Sequence, residues 1–368
     1  MRGAEERTWE VVRRAYADRP ARPSHRRLSN SLLLALVCSA LLVAAAVVSP
    51  PGRAVFERMR QAVGVEHAAP AIFSLPSHGD LLVVSGEHGG VWLVRDNGLK
   101  RRIGSYDDAQ WSPHGKFIVA TKGDELVALD PDGEVHWTLA RPGVRWPRWE
   151  GTDVDTRVAY VDRDGLRVVA GDGTGDHGLD RLGGGVPPAW DPARLHTLAY
   201  HAPGSIVMRR DDGKLVWRFK LPDAPTSLAW SSDGRELAVV TPGKIVVLSG
   251  AGRPLRTVSM LGSDLQQAAF APGTHRLAIV VHRPGRSEVR LVDVDHPGNA
   301  KLLFAGPGKF RDIAWSPDAR WLLVAWPTAN QWVFLRGSHV QAVGSIEEQF
   351  PRRDRVPPRL RLSGWCCS

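Results

Sequence analysis

The sequence predicts an all-β chain of seven four-stranded sheets arranged in a ring, preceded by one membrane-spanning helix. Three observations predict it. A corner made of an aromatic residue, a Ser-Pro-Asp-type turn and a short apolar run recurs about every 40 residues. The segments between copies are short apolar runs punctuated by glycine and proline, 37 and 27 of them in the chain. An uncharged run near the N-terminus is long enough to cross a bilayer.

The clearest copy is Ile313–Val324, in which Trp315 closes one strand, Ser316-Pro317-Asp318 turns the chain and Leu322-Leu323-Val324 opens the next strand. Proline presets φ for the second position of a tight turn, and aspartate bonds its own backbone there. Aligned on the aromatic, the other copies begin at Trp111, Trp149, Trp190, Trp230 and Phe270, with steps of 38, 41, 40, 40 and 45 residues up to Trp315. Leu75-Pro76-Ser77-His78-Gly79, followed by Leu81–Val84, is a weaker copy 36 residues before Trp111 and brings the number to seven. After each corner comes an apolar strand, then another such as Val91–Val94, Leu126–Leu129, Ile206–Met208, Ile245–Leu248 or Val289–Val292. Continuous apolar runs this short suit strands buried on both faces, as in sheets stacked against two neighbours. The period is that of a β-propeller blade; seven blades is the reading, six the alternative.

The repeated pattern aromatic-Ser-Pro-Asp-Gly-x-x-Leu-Ala resembles the WD-repeat and TolB-like β-propellers over roughly residues 70–345, and it is similar to the propeller modules of prolyl oligopeptidase relatives. The resemblance implies a fold and says little about activity. Leu129-Asp130 and Val292-Asp293 stand where the WD repeat has Trp-Asp, and the Gly-His pair is missing, so the bacterial TolB-like branch is the closer match. Gly133–Trp137 and Gly213–Trp217 are similar to an element of quinoprotein-like repeats; two copies support kinship of fold and no cofactor.

Taken in order, residues 1–28 read as a cytoplasmic tail in which Trp9, Val12 and Tyr16 share one helical face. Residues 29–49 read as an uncleaved transmembrane helix. Their apolar core, Leu32–Val48, exceeds a signal-peptide core, and Pro50-Pro51 after it makes a poor cleavage site. Arg22, Arg26 and Arg27 crowd the N-terminal flank and place that side in the cytoplasm, the propeller outside. Residues 50–70 form a juxtamembrane helix, with Val55, Phe56, Met59 and Val63 on one face, and a linker. Residues 71–346 are the propeller, with Gly183–Pro187 as flexible linker between its third and fourth blades; 347–368 read as a basic C-terminal tail without structure.

The net charge of +9 sits mostly at the ends, +4 on residues 1–28 and +2 on 347–368, leaving the propeller nearly neutral. That argues against a nucleic-acid-binding ring. There is no G-x-S-x-G, H-E-x-x-H, paired C-x-x-C, Walker loop or dinucleotide fingerprint, so no catalytic, cofactor-binding or metal residue is assigned. The histidines lack ligand spacing, and Asp130–Gly133 and Asp162–Gly165 read as turns, not calcium loops. Cys38 reads as a packing residue; for Cys366-Cys367 a disulfide between neighbours, a bridge to another chain and free thiols all stay open. The recurring tryptophans are read as packing between sheets. The resulting expectation is a membrane-held, extracytoplasmic, non-enzymatic module. It would bind a protein, peptide or envelope component, through residues still unknown, and signal through its N-terminal tail. The alternative is a propeller enzyme or quinone-cofactor propeller with its site at the central channel.

Overall fold

The computed structural model describes residues 74–86, 90–181, 183–260, 264–296, 300–350 and 359–367. The expectations for residues 1–28, 29–49 and 50–70 lie outside them. Among the described residues, no helix is long and apolar enough to cross a membrane.

The described chain forms seven antiparallel four-stranded sheets. Six follow chain order. Their first strands are Asp108–Trp111 in blade 2, Arg145–Gly151 in blade 3, Ala189–Trp190 in blade 4, Ser227–Trp230 in blade 5, Asp264–Phe270 in blade 6 and Ile313–Trp315 in blade 7. Blade 1 takes its first strand from the other end of the chain. Leu360–Cys366 pairs with Asp80–Ser85, which pairs with Gly90–Val94 and then Lys100–Gly104. The seven first strands adjoin one another in a closed ring, so they line the central channel. The fourth strands are outermost, with exposed and part-buried residues alternating in Val135–Ala140, Leu215–Lys220 and Pro254–Ser259.

This corrects the expectation for residues 347–368. The last residues are not a free tail; Leu360–Cys366 close the ring and leave Leu81–Val84 fully buried between two partners. The physical reason is that Asp80–Ser85 would otherwise be an apolar edge strand with a row of unpaired backbone groups. The same closure corrects the aromatic slot of blade 1. Trp365 fills it, 7% exposed, while Leu75 packs on the hairpin side of the same seam. The turn that follows is assembled from both ends. Gly79 comes so close to the carbonyls of Cys366 and Cys367 that an added Cβ would lie 2.7 and 3.0 Å from their oxygens, and its φ of +95° favours glycine in any case.

Seven apolar clusters fill the seven seams between neighbouring blades, each holding or packed by one slot aromatic. Trp190, Trp230 and Trp315 also donate their indole N–H to the preceding blade, to the carbonyls of Arg148 (2.9 Å), Ala189 (3.1 Å) and Ala269 (3.1 Å). The slot serine works inward. Ser112, Ser231 and Ser316 accept from the backbone N–H five residues on, at Phe117, Glu236 and Trp321, and tie off each corner. Asp130 accepts from the amides of Asp132 and Glu134, and Asp162 from that of Asp164, which makes both segments turns. Gly183–Pro187 is packed rather than loose. A Cβ on Gly183 would meet that of Leu166 at 2.8 Å, and Gly184 N donates to His201 O at 3.0 Å.

Candidate functional site

Strand order sorts every loop to one of two ends. Turns after the first and third strands lie at what we call the hairpin end; turns after the second strands, with the blade-to-blade connections, lie at the crossover end. Ser74 leads directly towards the second strand of blade 1 and Cys367 follows its first, so both described termini lie at the hairpin end.

The central channel holds a cavity of about 450 Å³ lined by Asp108, Gln110, Arg148, Gln267, Asp312 and Arg361, among others. Its charges are mixed. Arg361 donates to Asp108 at 3.3 Å, and Asp312 accepts from Leu362 N at 3.2 Å. Burial pushes the Asp312 carboxyl up to about 6, partly offset by that bond and by Arg311 and Arg361. Burial lowers the Arg148 guanidinium, with Asp108 opposing the shift. Several of these groups have a structural duty. The ring of first strands turns a free backbone edge to the channel, and side chains cap it: Gln110 accepts from Trp149 N at 2.9 Å and Gln267 from Ile313 N at 3.0 Å. Ser363 Oγ likewise donates to Ala109 O. The channel chemistry is thereby largely absorbed in joining blades.

The hairpin end differs in character. The large apolar side chains that remain exposed among the described residues are Leu99, Val135, Val154, Leu195, Leu215, Val216 and Leu255. All lie in, or within two residues of, turns at this end, across blades 1 to 5. Val154 is 95% exposed at the tip of the blade 3 corner. An open groove of about 520 Å³ lies at the same end where blade 7 meets blade 1, lined by Leu75, His78, Asn97, Asp318, Trp321 and Arg336.

Two histidines bridge corners of neighbouring blades here. His196 Nδ1 and Nε2 lie 2.8 Å from Glu150 and 2.9 Å from Asp155. His275 Nδ1 and Nε2 lie 2.7 Å from Asp295 and 3.0 Å from Asp233. Hydrogen bonds donated by the ring to Asp295 and Asp233 raise His275 to about 9, and both it and His196 are shifted towards the charged form. These carboxylates are far from the histidines in sequence, so spacing could not reveal them. Cys366 and Cys367 are joined in a disulfide between neighbours, with Cys367 against the blade 2 corner at Gly115.

No known family profile matches the chain, and no curated protein matches it. Among solved structures it is similar to the C-terminal WD40 domain of Sif2, at 13% identity and a TM-score of 0.56 over 72% of this chain and 80% of that one. It is also similar to Hsv2 of Kluyveromyces lactis, at 14% identity and a TM-score of 0.53 over 79% of this chain and 96% of that one. At such identities the likeness concerns fold alone: the chain carries a WD40-like, seven-bladed β-propeller.

Proposed function

We propose that the propeller is a protein-binding module held at a membrane, and that it binds its partner through the hairpin end. The observation that carries this is the confinement of the exposed aliphatic side chains to that end. Water-exposed aliphatic tips gain free energy when covered, about 25 cal/mol per Å² buried, which the polar turns of the crossover end cannot supply in the same measure. The fold supports the same reading, because a ring of stacked sheets holds turns from several blades rigidly in one surface.

In this account residues 29–49 anchor the chain, residues 1–28 stay in the cytoplasm and the propeller lies outside. Residues 50–73 connect the anchor to the ring. Occupation of the ring is passed to a cytoplasmic partner through the tail that carries Trp9, Val12 and Tyr16.

A photo-cross-linking amino acid placed at Val154 or Leu195 in living cells tests the reading. The same discrete protein adduct at both positions, with none at Lys122 or Arg163 of the crossover end, is the expected result. Adducts confined to 122 and 163 would move binding to the other end. Digestion of the propeller by protease added to intact cells is expected as well, and protection there would overturn the orientation.

A further inference from the structure

We propose that Glu236, His275 and Asp295, where blades 5 and 6 meet at the hairpin end, form a binding site for a divalent transition-metal cation such as Zn²⁺. One ligand atom from each lies within 4.8 Å of the others. Glu236 opens the second strand of blade 5, His275 closes the blade 6 corner, and Asp295 follows the third strand of blade 6. A blade seam thus brings together three groups that the sequence keeps apart.

The cluster alone would be an ordinary ion-pair network. What points to a cation is Glu236, which is 5% exposed, turns Oε1 to His275 Nδ1 at 3.9 Å, and has a buried Oε2 with no hydrogen-bond partner. A carboxylate so enclosed calls for a donor or a positive charge. His275 does not meet that need when its Nδ1 proton is given to Asp295 at 2.7 Å. A cation replacing that proton satisfies the imidazole and both carboxylates together. Bonds of about 2.1 Å place ligand atoms roughly 3.0–3.4 Å apart, so the 3.9 Å gap between His275 and Glu236, and separations of up to 4.8 Å within the set, must close by side-chain rotation as the cation binds. One nitrogen and two oxygens suit zinc or manganese better than calcium or magnesium.

The outer shell is also in place. Nε2 of His275 donates to Asp233 at 3.0 Å, and Asp233 is held in turn by Ser231 Oγ at 2.7 Å and Arg235 N at 3.1 Å. A carboxylate behind a ligating imidazole fixes the ring and its tautomer. Asp295 is about half exposed, which leaves an open side for water or for a group on a partner. His196 supplies the contrast within the same molecule. Glu150 and Asp155 take its two ring nitrogens, Glu150 also accepts from His196 N at 3.0 Å, and neither carboxylate has a fully buried oxygen without a partner.

The test is calorimetric titration of the full chain in detergent with Zn²⁺ after chelator dialysis, with Co²⁺ absorption as a second reading. Saturable binding at one site is expected, weakened at least about tenfold by E236Q and by D295N and about tenfold by D233N, and unchanged by H196Q. H275Q is expected to abolish it; circular dichroism reports whether each variant folds, and the near-isosteric E236Q and D295N decide should H275Q not fold. Absence of saturable binding by the natural protein would overturn the proposal. So would full affinity in E236Q and D295N, which would place the cation elsewhere in the chain.

Discussion

Replacing the slot tryptophans of blades 3 and 4 by phenylalanine separates packing from hydrogen bonding at the seams. Trp149 and Trp190 are equally enclosed, at 6% and 9% exposure, and each fills the gap between two sheets. Their indole nitrogens differ. Trp190 Nε1 donates to Arg148 O at 2.9 Å, whereas Trp149 Nε1 is buried without a partner. The smaller ring removes similar apolar volume at both sites, so that cost cancels in the comparison. Phenylalanine is a proven occupant of the slot, since Phe270 fills it in blade 6. Losing the bond in W190F costs about 1 kcal/mol, while W149F removes an unsatisfied buried donor that costs roughly 1–3 kcal/mol. W190F is therefore expected to be less stable than W149F by about 2–4 kcal/mol. With a urea m-value of about 3 kcal/mol/M for a domain of this size, the midpoints should stand about 1 M apart by far-ultraviolet circular dichroism. Coincident midpoints, or W149F the weaker, would refute the view that these indole hydrogen bonds join the blades.

W365A should cost about 3–5 kcal/mol in the same assay, as for a buried aromatic truncation, although the residue lies three positions from the C-terminus. D312N should stabilise the protein at pH 8 and do little at pH 3. Burial raises the folded-state carboxyl from 3.8 to about 6, so the folded state holds the proton more tightly and stability falls as pH rises through that interval. Two pK units correspond to about 3 kcal/mol, an upper bound for a group beside an open channel. His275 acts in the opposite sense. Raised from 6.5 to about 9, it contributes stability that is complete below pH 6.5 and lost as pH climbs through 9. In chelator, H275Q should flatten that part of the stability profile, and an unchanged profile would contradict the ion-pair geometry.

The repeat was legible because each corner must solve the same local problem. Trp111, Trp149, Trp190, Trp230, Phe270 and Trp315 all end first strands or lie within them, and the apolar runs after them are strands buried on both faces. The slot of blade 1 is hidden in the sequence for a physical reason. Its corner has a tryptophan at one end of the chain and its Ser77-His78-Gly79 turn at the other, so neither segment carries the whole motif. Trp365 stands 50 residues after Trp315 and is followed by cysteines, which hides it from a search by period. The histidine clusters were illegible for a related reason. Ligand spacing reports groups held on one helix or loop, whereas His275 meets carboxylates across a seam and across a blade. The exposed aliphatics carry no mark in the sequence, because both their exposure and their shared end depend on strand order.

Hydrogen–deuterium exchange of the peptide spanning residues 359–367 tests the ring closure most directly. As the first strand of blade 1, paired with Asp80–Ser85 from Leu360 to Cys366, it should exchange as slowly as the first strands of the other blades. Complete exchange of this peptide within seconds, while those strands stay protected, would contradict the closed ring.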